Sequence, residues 1–145
     1  MSEILTKELI VAAGAATTKE DAIAEAGNLL VTAGAVTPAY VDAMLERERS
    51  FSTYMGSYLA IPHGTNEAKD AITRSAISLV RYQDPIDWNG HEVRIVVGIA
   101  GVNDEHLGIL SKIAVIFSDN DEAQKMLAAT TADALYAVLE GVNEE

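Results

Sequence analysis

Apolar residues in this chain follow two rhythms. One has a spacing of three to four residues; the other alternates or runs together, and the changes between them fall at capping and turn residues. The stretch "TTKEDAIAEAGNLLVTAGA" (17–35) puts Ile23, Ala26, Leu29, Leu30 and Ala33 at helical spacing. Thr17 with Glu20 three positions on predicts a capping box at its start, and Gly34 predicts its stop. Thr37 and Pro38 predict the cap and first position of a second helix, striped by Tyr40, Val41, Met44 and Leu45 and ending in "ERER" (46–49). The runs "FSTYM", "YLAI", "AISLVRY" and "EVRIVVGIA" predict strands, and Asn89-Gly90 predicts a tight turn between the last two. Helical spacing returns from Asn103 to Phe117, with Leu107, Leu110, Ala114 and Phe117 on one side, and again in "DEAQKMLAA" and "TADALYAVLEG". Strands interleaved with helices predict an α/β fold: a single-domain sandwich whose mixed, mostly parallel β-sheet is flanked by helices on both faces.

Length supports one domain. At 145 residues the chain can bury roughly 70% of the surface it exposes when unfolded, and no repeat or Pro/Gly/Ser-rich linker divides it. With no cysteine, disulfides, thiolate metal sites and thiol nucleophiles are excluded, as suits a reducing compartment. The start "MSEILTKELI" matches neither a signal peptide nor an anchor, and no apolar run approaches the roughly 20 residues of a membrane span. A cytoplasmic protein with no membrane insertion is expected. The formal charge of −12 opposes binding to nucleic acid and to anionic membranes, and would attract a partner with a basic docking face.

The sequence carries three histidines. His91 follows the Asn-Gly turn and is read as an exposed turn residue. His63 stands in "YLAIPHGT" (58–65): Pro62 forces Ile61 into an extended conformation, and Gly64 permits a bend that other residues resist. An imidazole so held is a nucleophile if one ring nitrogen is oriented by a hydrogen bond, or else a filler at a strand's end. His106, in "GVNDEHLGIL" (101–110), falls in the first turn of a helix if Asn103 is the cap, where an anion is welcome; the alternative is a helix start with an incidental histidine. Both histidines follow predicted strands, so both can project from one end of the sheet. Arg47 and Arg49 flank the apolar stripe equally, and periodicity does not separate a phosphate ligand from surface partners of Glu46 and Glu48. Dinucleotide and P-loop glycine patterns, H-x-x-x-H and H-E-x-x-H spacings and a serine nucleophile elbow are all missing. Histidine chemistry without a metal or cofactor is what remains.

Two segments, "MGSYLAIPHGTNEAK" (55–69) and "VVGIAGVNDEHLGILSKIAVIF" (96–117), together with "AMLERE" (43–48), resemble the enzyme IIA component of the bacterial phosphotransferase system, in its fructose and mannitol family. The resemblance covers nearly the whole chain, as one domain over residues 1–145, and is closest to the mannitol type. It implies that His63, in the I-P-H-G segment, is the phosphorylated residue. It implies a supporting role for His106 and phosphate stabilisation by Arg47. It further implies that His63 takes the phosphoryl group on Nε2 from the histidine-containing phosphocarrier protein HPr and passes it to a cysteine of the IIB domain of a mannitol-type permease. The nitrogen-related IIA proteins, phospho-switches that control other proteins, are the alternative branch. No cofactor and no metal are implied.

Overall fold

The computed structural model describes residues 4–56, 58–64, 70–102 and 105–139. A 3₁₀ turn (Lys7–Leu9) leads into β1 (Ile10–Val11). Then come α1 (Lys19–Thr32), α2 (Ala39–Ser50), β2 (Tyr54–Gly56), β3 (Leu59–Ala60), β4 (Ala76–Trp88) and β5 (His91–Ala100). The chain closes with α3 (Glu105–Ser118), α4 (Asn120–Ala128) and α5 (Ala132–Leu139).

The expected mixed sheet is present, in the order β1-β4-β5-β3-β2, but it is not mostly parallel. β1 with β4 and β3 with β5 are parallel pairs; β4 with β5 and β2 with β3 are antiparallel. The longest ladder is the antiparallel one, because Asn89 (φ 56°) and Gly90 (φ 94°) turn β4 straight back on β5, as the Asn-Gly pair predicts. β4 runs past the predicted "AISLVRY" to Trp88, with a register shift between Arg81 and Ile86. Pro85 lies inside that shift, at a place where the ladder asks for no N–H. β1, with only two residues, is too short to show a period and gave no sequence signal.

Helix ends refine the sequence reading. The cap of α1 is Thr18, one residue later than expected, and its hydroxyl accepts from Asp21 N–H at 3.2 Å. Gly34 ends α1 as predicted: its φ is 78°, its N–H reaches Val31 O, and the Ala35 N–H reaches Leu30 O. Pro38 has helical angles at the entry to α2, but Thr37 contributes its carbonyl, to Tyr40 N–H, and makes no side-chain cap. The buried stripe of α3 is Ile109, Ile113 and Phe117; Leu107 is exposed, so the apolar face is rotated from the one expected. The proposed cap Asn103 lies outside the described residues.

Helices cover both faces. On one, α1 lies so close to the sheet that a Cβ at Gly98 would sit 2.6 Å from Ser78 Oγ and 3.2 Å from Ala26 Cβ. Ser78 Oγ donates to Ala26 O at 2.7 Å, so the buried hydroxyl is satisfied by the helix it touches. Side chains alternate along β4, and three residues on Arg81 turns to the other face, where its Nε donates to Leu127 O in the last turn of α4. Burial and the neighbouring Arg94 lower the Arg81 pKa, yet an arginine starts so high that the guanidinium remains a cation. It therefore suits the negative end of that helix.

Two buried polar networks carry predictions. The Glu48 carboxylate accepts from Thr53 N–H, the Thr53 hydroxyl and Trp88 Nε1 (2.9 Å), tying the end of α2 to β4. Glu48→Ala strands the indole and amide donors, and we expect a loss of about 3 kcal/mol, read as a fall of roughly 10 °C in Tm. Exposed Glu46→Ala should stay within about 0.5 kcal/mol of wild type. In the second network Tyr82 donates to Glu25 Oε1 at 2.6 Å, while Glu25 also accepts from the Ala15 and Ala16 amides.

Burial, and then the bond to Glu25, push the Tyr82 phenol far above the ordinary tyrosine value; burial likewise raises that of Tyr40. A folded state that holds these protons more tightly than the unfolded chain keeps its full stability below the unfolded value of about 10 and loses stability as pH rises beyond it. Alkaline titration followed by ultraviolet absorbance should show Tyr82 ionising only as the protein unfolds and Tyr40 ionising above the ordinary tyrosine range, and Tyr82→Phe should flatten the alkaline decline.

Candidate active site

The β2–β3 hairpin brings the chain to His63. Gly56 (φ 92°) and Tyr58 (φ 65°) form its turn, and β3 runs parallel to β5 with Leu59 opposite Ile95 and Ala60 opposite Val96. Past β3, Ile61 N–H donates to Thr53 O, Ile99 N–H donates to Pro62 O, and His63 stands in a parallel bridge with Ile99. Two strands thus end side by side at their C-terminal ends, the edge at which α/β sheets place ligands.

The half-buried His63 ring has Nδ1 at 2.9 Å from Ile61 O. A carbonyl oxygen can only accept, so this bond assigns the proton to Nδ1 and leaves the lone pair on Nε2. Pro62, by keeping Ile61 extended, aims that carbonyl. Gly64 is present for a different reason from the one expected. Its φ is not positive; a Cβ there would sit 2.5 Å from Tyr40 Cε1. The requirement is close approach of the Tyr40 ring, whose hydroxyl accepts from Gly64 N–H (2.9 Å) and donates to Ile99 O (2.7 Å).

That contact also separates the two arginines. Tyr40 and Arg47 lie two turns apart on α2, within about 20° on the helix surface and about 10 Å along the axis, whereas Arg49 lies on the opposite side. Helical side chains lean toward the N-terminus, so Arg47 leans toward the end that touches Gly64. Arg47 is half-buried and Arg49 exposed. The Arg47 guanidinium lies over the Phe51 ring at 5.2 Å, and its buried Nη1 has no hydrogen-bond partner among the described residues. A buried guanidinium N–H without an acceptor is costly, and a phosphoryl oxygen is an acceptor that fits its fork. Glu48, read from sequence as a surface partner of the arginines, is instead buried between Thr53 and Trp88.

His106 lies in the first turn of α3, which begins shortly after β5 ends at Ala100. The backbone therefore carries it to the same end of the sheet as His63, as expected; its side chain lies outside what the structure describes. His91 stacks on Tyr54 with ring centroids 4.3 Å apart, in the turn context assigned to it. Among the described residues no group of three His, Asp or Glu side chains converges on a metal position, and no helix is long and apolar enough to cross a membrane. The residue that sequence reasoning missed is Tyr40, taken only as part of a stripe. A buried tyrosine hydroxyl needs partners, and that need was the available signal.

Known proteins resemble this chain over nearly its whole length. The mannitol-specific phosphotransferase enzyme IIA component of Halalkalibacterium halodurans is 51% identical over 141 residues, covering 97% of each chain. The mannitol enzyme IIA of Escherichia coli, solved in complex with phosphorylated mannitol enzyme IIB, superposes with a TM-score of 0.88 at 35% identity, over 94% of this chain and 97% of that one. The nitrogen regulatory protein IIA-Ntr of Neisseria meningitidis superposes with a TM-score of 0.81 at 26% identity, over 94% and 96%. The family model for the phosphoenolpyruvate-dependent sugar phosphotransferase system, EIIA 2, matches residues 3–142. With a family model matched over residues 3–142 and a relative 51% identical over nearly its whole length, the chain belongs to the EIIA 2 family of the phosphoenolpyruvate-dependent sugar phosphotransferase system.

Proposed function

We propose that this protein is the mannitol IIA phosphoryl carrier, acting in the cytoplasm, with His63 as the residue phosphorylated. The observation that supports the reading is the Nδ1 bond to Ile61 O, which favours the tautomer whose lone pair is on Nε2. Phospho-HPr presents a phosphohistidine. The Nε2 lone pair attacks its phosphorus, the donor's P–N bond breaks, and the donor ring takes back that electron pair. The His63 ring becomes cationic, with the charge at Nδ1–H shared by the Ile61 carbonyl. In the onward step a thiolate of a IIB domain attacks the same phosphorus, the Nε2–P bond breaks, and Nε2 regains its pair.

Such transfers pass through a loose transition state with charge on the equatorial oxygens, so cations and N–H donors held in place do most of the stabilising. Arg47 supplies a guanidinium for that charge. His106 supports the phosphoryl group from the start of α3, where the helix dipole favours an anion. The acidic chain complements a basic docking face on HPr. Choice of mannitol rests on the 51% identity to a mannitol-specific IIA component. The test is growth: in cells lacking their own IIA but holding a mannitol IIB-IIC transporter, this chain should restore mannitol uptake. Phosphorylation without restored uptake would favour a regulatory role of the nitrogen-type kind.

A further inference from the structure

In a parallel ladder, the bridge between His63 and Ile99 would be closed by two backbone bonds, Ile99 N–H to Pro62 O and Gly64 N–H to Ile99 O. The first is made, at 3.0 Å. In the second, the Tyr40 hydroxyl stands between donor and acceptor: it takes the Gly64 proton at 2.9 Å and gives its own to Ile99 O at 2.7 Å. The phenol oxygen thus links the two strands immediately after His63. The link is built into the packing, because the Tyr40 ring occupies the space of a Gly64 side chain and is itself only 3% exposed. Both peptide units flanking His63 are held by the same residue of β5, one directly and one through the phenol.

We propose that Tyr40 is a positioning residue for phosphoryl transfer, its hydroxyl acting as a spacer that keeps the Ile61–Gly64 segment in the shape that lets His63 Nδ1 reach Ile61 O. The inference rests on His63 being the acceptor. With the hydroxyl gone, the ring still fills the space beside Gly64, and Gly64 N–H and Ile99 O lose the group that links them. The segment is then released on one side of His63. The ring nitrogens lose their single assignment, and the fraction of molecules with Nε2 ready to attack falls.

The test compares wild type, Tyr40→Phe and His63→Ala with phospho-HPr as donor. Tyr40→Phe should accept the phosphoryl group about 10- to 100-fold more slowly, through kcat and not through KM for phospho-HPr. The ¹⁵N signals of the His63 ring should move from a single Nδ1–H form toward a mixture. A purely structural role would lower Tm and leave the ring signals alone. A Tyr40→Phe protein with wild-type rate and unchanged ring signals overturns the inference; phosphorylation of His63→Ala overturns instead the reading of His63. Should Tyr40→Phe fail to fold, Gly64→Ala keeps the hydroxyl but drives the ring from its place. The same loss of rate and mixed ring signals are expected there, and wild-type behaviour in that variant again overturns the inference.

Discussion

His63→Ala should accept no phosphoryl group from phosphoenolpyruvate, enzyme I and HPr, while the wild-type chain gains one that is acid-labile and alkali-stable. The lability is that of a P–N bond, and the residue proposed to form it is His63, whose Nδ1 lies 2.9 Å from Ile61 O, in keeping with a lone pair on Nε2. Truncation removes the proposed nucleophile itself, so the expected effect is complete and does not grade with concentration or time. Its cost to the fold is small: the ring is half-buried, and each hydrogen bond lost costs about 1 kcal/mol. A melting curve close to wild type should therefore accompany the lost activity. Full phosphorylation of the variant would move the acceptor to another residue.

Arg47→Ala should slow phosphoryl transfer by roughly 10²- to 10³-fold, the range found when one preorganised donor is taken from a developing charge. The same change at Arg49 should leave the rate at the wild-type level. The two arginines are two residues apart and were equivalent by periodicity. The Tyr40–Gly64 contact breaks the tie, because it shows which side of α2 faces the His63 segment, and Arg47 shares that side. The buried Nη1 of Arg47, with no acceptor among the described residues, is the group that a phosphoryl oxygen would satisfy. Arg47→Lys keeps a positive charge but not the planar fork, so it should recover part of the rate. Initial rates against phospho-HPr concentration check all three variants; equal rates for Arg47→Ala and Arg49→Ala would remove Arg47 from the site.

Much of the architecture was legible because it depends on local chemistry. The Gly34 stop, the Asn89-Gly90 turn and the β-branched runs of β4 and β5 each need only a few neighbouring residues to act, so their signals survive in one dimension. Errors arose where neighbours compete or where a partner is distant. Thr17 and Thr18 are both able to cap α1, and the choice went to Thr18 with Asp21. Exposed Leu107 shows that a helix face is set by the sheet beneath it and not by the richest stripe. Glu48 looked like a surface acid because nothing in "ERER" announces Trp88, which is 40 residues away in sequence.

For the site, the order of residues was enough to place a histidine after a strand between Pro62 and Gly64, to exclude cysteine and common metal spacings, and to show motifs that resemble one family. These are statements about which atoms exist and how the backbone bends nearby. Only the folded chain shows which nitrogen of His63 faces the Ile61 carbonyl, which arginine lies on the Tyr40 side of α2 and why residue 64 is glycine. Each of those depends on a group brought in from elsewhere or set by the folded backbone: a carbonyl aimed by the extended chain, a tyrosine on a helix and a strand residue at Ile99. Hydrogen bonds act over about 3 Å whatever the separation along the chain, so only the folded chain brings these partners within reach.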